Sequence, residues 1–206
     1  MTDVQANTDQ AAEQSVTTAL TNPKDYNTVH PLNSSWVLWF DNPNRRTNVV
    51  TWKDHLKHIV TIKTVEDFWG VYNKVPSPLD LPHGSNYHLF REGIEPMWED
   101  KANKNGGKWA CVFPRSIGEK VNEHWLHTLL ACIGETFEVS PEVCGVVFSN
   151  RKSCFKINLW TRTASNKKAC EDIGRHLKSV LGINASLEYV LHDTAPKSES
   201  KAMYTV

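Results

Sequence analysis

The alternation in Phe155-Lys156-Ile157-Asn158-Leu159-Trp160 limits the fold of this chain more than any other feature. Successive side chains of a strand point to opposite faces, so Phe155, Ile157 and Leu159 fall on one side and Lys156, Asn158 and Trp160 on the other. Such a strand covers a core with one face only. Seven more runs of similar length are strand candidates: Ser35 to Phe40, His58 to Ile62, Tyr87 to Arg91, Lys108 to Phe113, Val143 to Ser149, Ser186 to His192 and Ala202 to Val206. Turn residues such as Asn42-Pro43-Asn44, Pro76-Ser77-Pro78 and Asn105-Gly106-Gly107 separate the segments. Thr64 with Asp67 makes a capping box that predicts a helix over 65–75, and Ser116 with Glu119 predicts one over 117–133, closed by Gly134. Ser165 opens a third helix, which carries Ala169, Ile173, Leu177 and Val180 at helical spacing and stops at Gly182. Strands that outnumber helices and are joined by short turns predict an α+β fold, an antiparallel sheet with helices on one face.

A chain of 206 residues is long enough for one sizeable core and too short for two ordinary domains with tails. Residues 1–29 are rich in Thr, Ala, Gln and Asn and lack periodicity, so they are expected to be a disordered arm, with a single domain over 30–206. Lys plus Arg and Asp plus Glu both number 23, so no whole-molecule field draws the chain to a polyanion. Any such site must be local. Between residues 145 and 182, eight basic residues face only Glu171 and Asp172, which puts a basic patch in the C-terminal half. Five cysteines without a CxxC pair fit neither a zinc ribbon nor a secreted disulfide framework, so they read as reduced thiols. No basic residue precedes Lys24 and no apolar run approaches the roughly 18 residues of a membrane span, which leaves a cytoplasmic or nuclear address and no membrane partner.

Eight tryptophans raise the question of which ones a core can absorb. Trp36 and Trp39 stand in an apolar β-run, Trp109 shares a strand face with Cys111 and Phe113, and Trp125 sits on a helix among leucines, so all four read as core. Trp52 and Trp98 stand in segments with no apolar period, and Trp160 keeps polar company on its strand face. Two loop indoles, the carboxylate of Glu99 beside one of them, and a basic strand face carrying a third indole suit a flat, positively charged base that bears phosphates. An indole face attracts a cation, and a methylated guanine spreads its charge over a stackable ring. A carboxylate accepts both N–H groups of the guanine edge, which adenine does not offer. The same parts also suit a sugar-binding module, where loop tryptophans stack on pyranose faces.

At these residues the chain resembles eukaryotic translation initiation factor 4E. The resemblance runs from His30 to Val206. It is carried by His30-Pro31-Leu32, Trp36-Val37-Leu38-Trp39-Phe40, Thr64-Val65-Glu66-Asp67-Phe68-Trp69, Gly93-Ile94-Glu95-Pro96-Met97-Trp98-Glu99-Asp100, Thr128-Leu129-Leu130 and Ile133-Gly134-Glu135. It implies a curved eight-stranded antiparallel sheet with three long helices on the convex face and a 7-methylguanosine cap held on the concave side. Carried over residue by residue, it makes Trp52 and Trp98 the stacking indoles, Glu99 the guanine-edge acceptor and Trp160 the methyl contact. Arg151 and Lys156 match phosphate ligands, Lys108 stands where many relatives have Arg, and Lys197 matches a mobile phosphate-side residue. Ser153 occupies a place where many animal relatives carry Lys, and the extra charge sits at Lys152 instead.

The resemblance further implies a binding protein that hands capped message to the scaffold initiation factor 4G, a monomer before assembly, with no cofactor. Neither a clustered Glu motif for metal-assisted hydrolysis nor closely spaced histidines for nucleotidyl transfer is present in the sequence, so neither catalysis nor a metal is expected. The alternative is a repressor or storage paralogue that binds cap without engaging the scaffold. Trp69 by its own pattern packs inside with Phe68 and Tyr72. The resemblance instead puts it on the convex back, where positions matching His30, Pro31, Val65, Trp69, Leu126 and Leu130 receive an amphipathic helix from the scaffold or from inhibitory binding proteins. His127 stands where many animal relatives have Glu.

Overall fold

The computed structural model describes residues 28–42, 52–192 and 202–206, with Trp52 described through its backbone alone. The predicted arm, except Thr28 and Val29, and Lys197 lie outside these residues. Eight strands form one sheet: β1 (Pro31–Asp41), β2 (Lys57–Thr64), β3 (Asn86–Arg91), β4 (Gly107–Pro114), β5 (Val143–Asn150), β6 (Cys154–Thr161), β7 (Glu188–Leu191) and β8 (Tyr204–Thr205). Their order across the sheet is β2-β1-β3-β5-β6-β4-β7-β8, and every pairing is antiparallel. Each strand lies where the alternation predicted it, longer by a few residues in some cases and shorter in β7 and β8.

The register explains why one face is the core. Residues paired across the sheet share a face, and one row runs Val60, Leu38, Leu89, Val146, Leu159, Trp109, Tyr189 and Tyr204 through all eight strands. Trp36, Phe148, Phe155 and Ile157 extend this surface, all fully buried. The helices cover it: α2 (Val65–Tyr72), α3 (Lys120–Ile133) and α4 (Lys167–Leu181), while α1 (Trp52–His55) is a single turn after β1. Phe68 of α2, Trp125 and Leu129 of α3, and Ile173 and Leu177 of α4 join the same apolar cluster. The five cysteines are thiols, as predicted, and burial pushes those of Cys111, Cys132 and Cys144 up to about 12. Among the described residues no helix is long and apolar enough to cross a membrane.

Arg91 ties the sheet to the end of α3. Its guanidinium donates to Val143 O, Ser140 O, Ser34 Oγ and Glu135 Oε1, the last at 2.6 Å, and lies 4.7 Å over the Trp36 ring. Burial alone would raise the Glu135 carboxyl, but hydrogen bonds from Ser34, Arg91 and Asn33 outweigh it and hold the group below its ordinary value.

Three local expectations need correction. The Thr64–Asp67 capping box forms, but its helix ends at Tyr72 rather than 75, with Asn73 as its C-cap. Ser116 and Glu119 make no capping box, because Arg115–Ile117 forms a 3-10 turn and α3 starts at Lys120 without a side-chain cap. The cap of α4 is Asn166, whose side chain accepts from Ala169 N, and not Ser165. Trp39 also departs from the core assignment. It is odd-numbered on β1, opposite in parity to Trp36 and Leu38, and it lies half-buried on the other face, edge-on to His58 at 5.1 Å.

Helix α4 sits on Trp109, whose Nε1–H donates to Cys170 O at 2.9 Å. A Cβ added at Gly174 would lie 2.6 Å from the indole ring. An alanine there would gain about 1 kcal/mol in helix propensity. Overpacking against a rigid buried ring costs about 1–3 kcal/mol. Gly174→Ala is therefore expected to lower stability by a net of up to about 2 kcal/mol, read as a lower urea midpoint with an unchanged slope.

Candidate functional site

The face opposite the core holds the remaining rows of the register. One runs Phe90, Gly145, Trp160 and Lys108, the next His88, Val147, Asn158 and Ala110, and the third Asn86, Ser149, Lys156 and Val112. Above them lies the connection from β3 to β4, which carries Pro96, Met97, Trp98 and Glu99. With Asn86, His88, Lys108, Val147, Ser149, Lys156, Asn158 and Trp160 of these rows, and with Arg151, they line a cleft of about 480 Å³. It unites Trp98, Glu99, Trp160, Lys108, Arg151 and Lys156 in one concavity, six residues singled out in the sequence.

An irregular connection needs its own internal bonds to hold an indole in place, and Asp100 and Asn103 supply them. Asp100 accepts from Glu95 N at 3.0 Å and from Ala102 N at 2.8 Å. Asn103, fully buried, donates to Glu95 O and Met97 O at 2.9 and 2.8 Å. Ile94 and Ala102 then pack with Phe90, Cys144 and Val147 in a small second apolar cluster under the connection. Trp98 is left 53 % exposed. Asn103 leaves no signal to read in the sequence, because its partners are backbone carbonyls.

Trp52 opens α1, and the next residue, Lys53, pairs with Glu95 at 3.0 Å. That contact brings the backbone of α1 beside the connection that carries Trp98. Both partners are largely exposed, so the pair itself contributes about 1 kcal/mol at most.

Trp160 is held from two sides, by Phe90 edge-on at 5.4 Å and by His192 at 4.0 Å between ring centres. At the other end, two rows away along the strands, Arg151 and Lys156 supply positive charge. Lys108 belongs to the Trp160 row, and its pKa is lowered by burial and then by the charge of Lys156. The basic residues of 145–182 do not form the single patch that the count suggested. Lys167, Lys168 and Arg175 pair with Glu171 and Asp172 along α4, on the helical side of the sheet. Lys152 is exposed on the turn between β5 and β6 and does not line the cleft. Among the described residues no cluster of His, Cys, Asp or Glu could hold a metal.

On the helical side, Val65 and Trp69 are each 38 % exposed although their neighbour Phe68 is buried. Trp69 leans edge-on against Phe68 and Tyr72 at 5.0 and 5.9 Å. Leu126 and Leu130 of α3 are half-buried, Pro31 is exposed, and His127 is exposed on the same helix as the two leucines. His30 is exposed.

A single antiparallel sheet with helices on one face and an indole-lined basic cleft on the other defines an α+β ligand-binding protein. The family model for eukaryotic initiation factor 4E matches residues 31–205, and the chain belongs to that family. It is 41% identical over 177 residues to eukaryotic translation initiation factor 4E of Dictyostelium discoideum, covering 85% of this chain and 70% of that one. The fold is similar to Caenorhabditis elegans eIF4E-3 in complex with the 4E-binding protein Mextli and cap analogue, with a TM-score of 0.79, 36% identity, and coverage of 87% of this chain and 100% of the other. It is also similar to Ascaris suum eIF4E-3 with m7G cap, with a TM-score of 0.80, 36% identity, and coverage of 87% and 98%.

The buried neutral His192 has a consequence for stability. Burial and then the nearby Lys108 charge push its pKa down from 6.5 to about 3. Between these values the unfolded chain binds a proton that the folded chain refuses, so the contribution is intact above about pH 6.5 and is lost as pH falls towards 3. His192→Gln should therefore lose less stability than the wild type between about pH 7.5 and about pH 5 in urea titrations. An identical loss in both would show that His192 takes up its proton in the folded state as readily as in the unfolded one.

Proposed function

We propose that the cleft binds the 7-methylguanosine 5′ cap of messenger RNA and that the chain serves translation initiation by handing capped message to a scaffold protein. Trp52 and Trp98 stack on the base, Glu99 accepts from its Watson–Crick edge and Trp160 touches the methyl group. Arg151, Lys156, Lys108 and Lys197 neutralise the phosphates. The observation that carries this reading is the union of an exposed indole, an adjacent carboxylate, a clamped second indole and three basic side chains in one cleft. Family membership and the cap-bound relatives support it. The chain acts by binding and not by catalysis, at a cytoplasmic or nuclear address. The domain that does so spans 30–206.

Each indole gains up to about 2 kcal/mol from a ring cation. Two together give at most about 4 kcal/mol, close to three decades in affinity. Intrinsic fluorescence should therefore be quenched by 7-methyl-GTP at far lower concentration than by GTP. Trp98→Ala should cost roughly 1–3 kcal/mol and most of that preference. Equal quenching of the wild type by both nucleotides would overturn the assignment.

The second face is the partner site. His30, Pro31, Val65, Trp69, Leu126 and Leu130 receive an amphipathic helix from initiation factor 4G or from inhibitory binding proteins. A large exposed indole is a typical anchor for such a helix, at about 2 kcal/mol or more. The complex of a similar chain with Mextli supports a protein partner. Trp69→Ala should abolish binding of a scaffold peptide in calorimetry while cap affinity and the unfolding temperature stay nearly unchanged. A variant that unfolds several degrees earlier would return Trp69 to a structural role.

A further inference from the structure

Asp41, the last residue of β1, has no exposed surface and sits on the cleft face of the sheet, opposite Asn86 of β3. A buried carboxylate is costly unless its oxygens are hydrogen-bonded, and an apolar residue at the end of a strand would be cheaper. Here the oxygens are engaged. Asn86 Nδ2 donates to Oδ1 and Oδ2 at 2.9 and 3.0 Å, and His88 Nε2 lies 2.6 Å from Oδ1. The far side of the Asn86 amide turns to Arg151, whose Nη2 donates to Asn86 Oδ1 at 2.8 Å. Arg151 Nη1 donates to Ser85 O and Asn150 O at 3.3 and 3.2 Å.

An amide has two different ends, and both carboxyl oxygens of Asp41 accept from the NH2 end of Asn86. Asp41 therefore compels the NH2 end of Asn86 to face it, and the oxygen end to face Arg151. With this acceptor and two backbone carbonyls fixing the guanidinium, its Nε–H and one Nη2–H remain to meet an incoming anion. We propose that Asp41 is a positioning residue for anion recognition, setting the polarity of the Asn86 amide and thereby the aim of Arg151. This rests on the reading of the cleft as a cap site. It assigns to Asp41, which touches no ligand, control over the phosphate end alone. Replacing the carboxylate by an amide removes the compulsion, because Asn86 can then turn its NH2 end towards Arg151 and repel it.

The test is a thermodynamic cycle read by fluorescence titration with 7-methyl-GTP and with 7-methylguanosine, which has no phosphate. Asp41→Asn should weaken 7-methyl-GTP roughly tenfold and leave 7-methylguanosine within about twofold. In an Arg151→Ala background the same substitution should have almost no effect, since the group it aims is gone. Equal losses for both ligands, or a loss of full size in the Arg151→Ala background, would overturn the proposal. If Asp41→Asn fails to fold by circular dichroism, Asn86→Ala, which keeps the Asp41–His88 contact, is put through the same cycle with the same expected outcomes. A wild type that binds GTP as tightly as 7-methyl-GTP would sink the cap reading instead, and the cycle run with GTP would still report on Asp41.

Discussion

One sheet has two faces, and among the described residues the three long helices cover one of them. From the row that starts at Val60 and ends at Tyr204, every strand commits its apolar parity to the helical side. The opposite parity is left to the cleft, to the small apolar cluster around Phe90 and Val147, and to polar side chains such as Asp41 and Asn86 that bond one another. The cleft depends on this division. Trp160, Lys156 and Asn158 reach the cleft because Leu159, Ile157 and Phe155 are anchored under the helices, and no separate device is needed to present them.

Electrostatics in the cleft follow from the same arrangement. Lys108 and Lys156 stand on neighbouring strands, and burial and then the charge of Lys156 raise the cost of charging Lys108. His192 responds by staying neutral beside Lys108. Cations crowded in this way gain more from an anionic ligand than cations spread over an open surface, because the ligand relieves repulsion as well as supplying attraction. Lys167, Lys168 and Arg175 on α4 differ in this respect, since they already pair with Glu171 and Asp172.

Strand positions, the burial of Trp36, Trp109 and Trp125, and the polar company of Trp160 were legible in the sequence because all follow from a period of two or from local packing. Trp39 was misread because the run around it is apolar on both faces, so composition hid a parity that Trp36 and Leu38 alone would have revealed. Helix starts failed where two candidate caps stood close together, as with Ser165 and Asn166, since the choice depends on the path of the preceding chain. Arg91, Asp41 and Asn103 were invisible for a different reason. Each works through partners tens of residues away or through backbone atoms, and neither leaves a spacing to read.

Along β6, fold and recognition are interleaved at alternate codons. Odd positions of Cys154–Thr161 answer to the interior and even ones to whatever enters the cleft. Drift at an even position can retune the ligand without loosening the scaffold, whereas a slip of a single residue in register would exchange the two roles at once and abolish both. The turn Arg151–Ser153 between β5 and β6 guards against that slip, with Arg151 N bound to Cys154 O at 3.0 Å. The shortest connection in the sheet is thus the one that keeps two otherwise separable histories of substitution from interfering with each other.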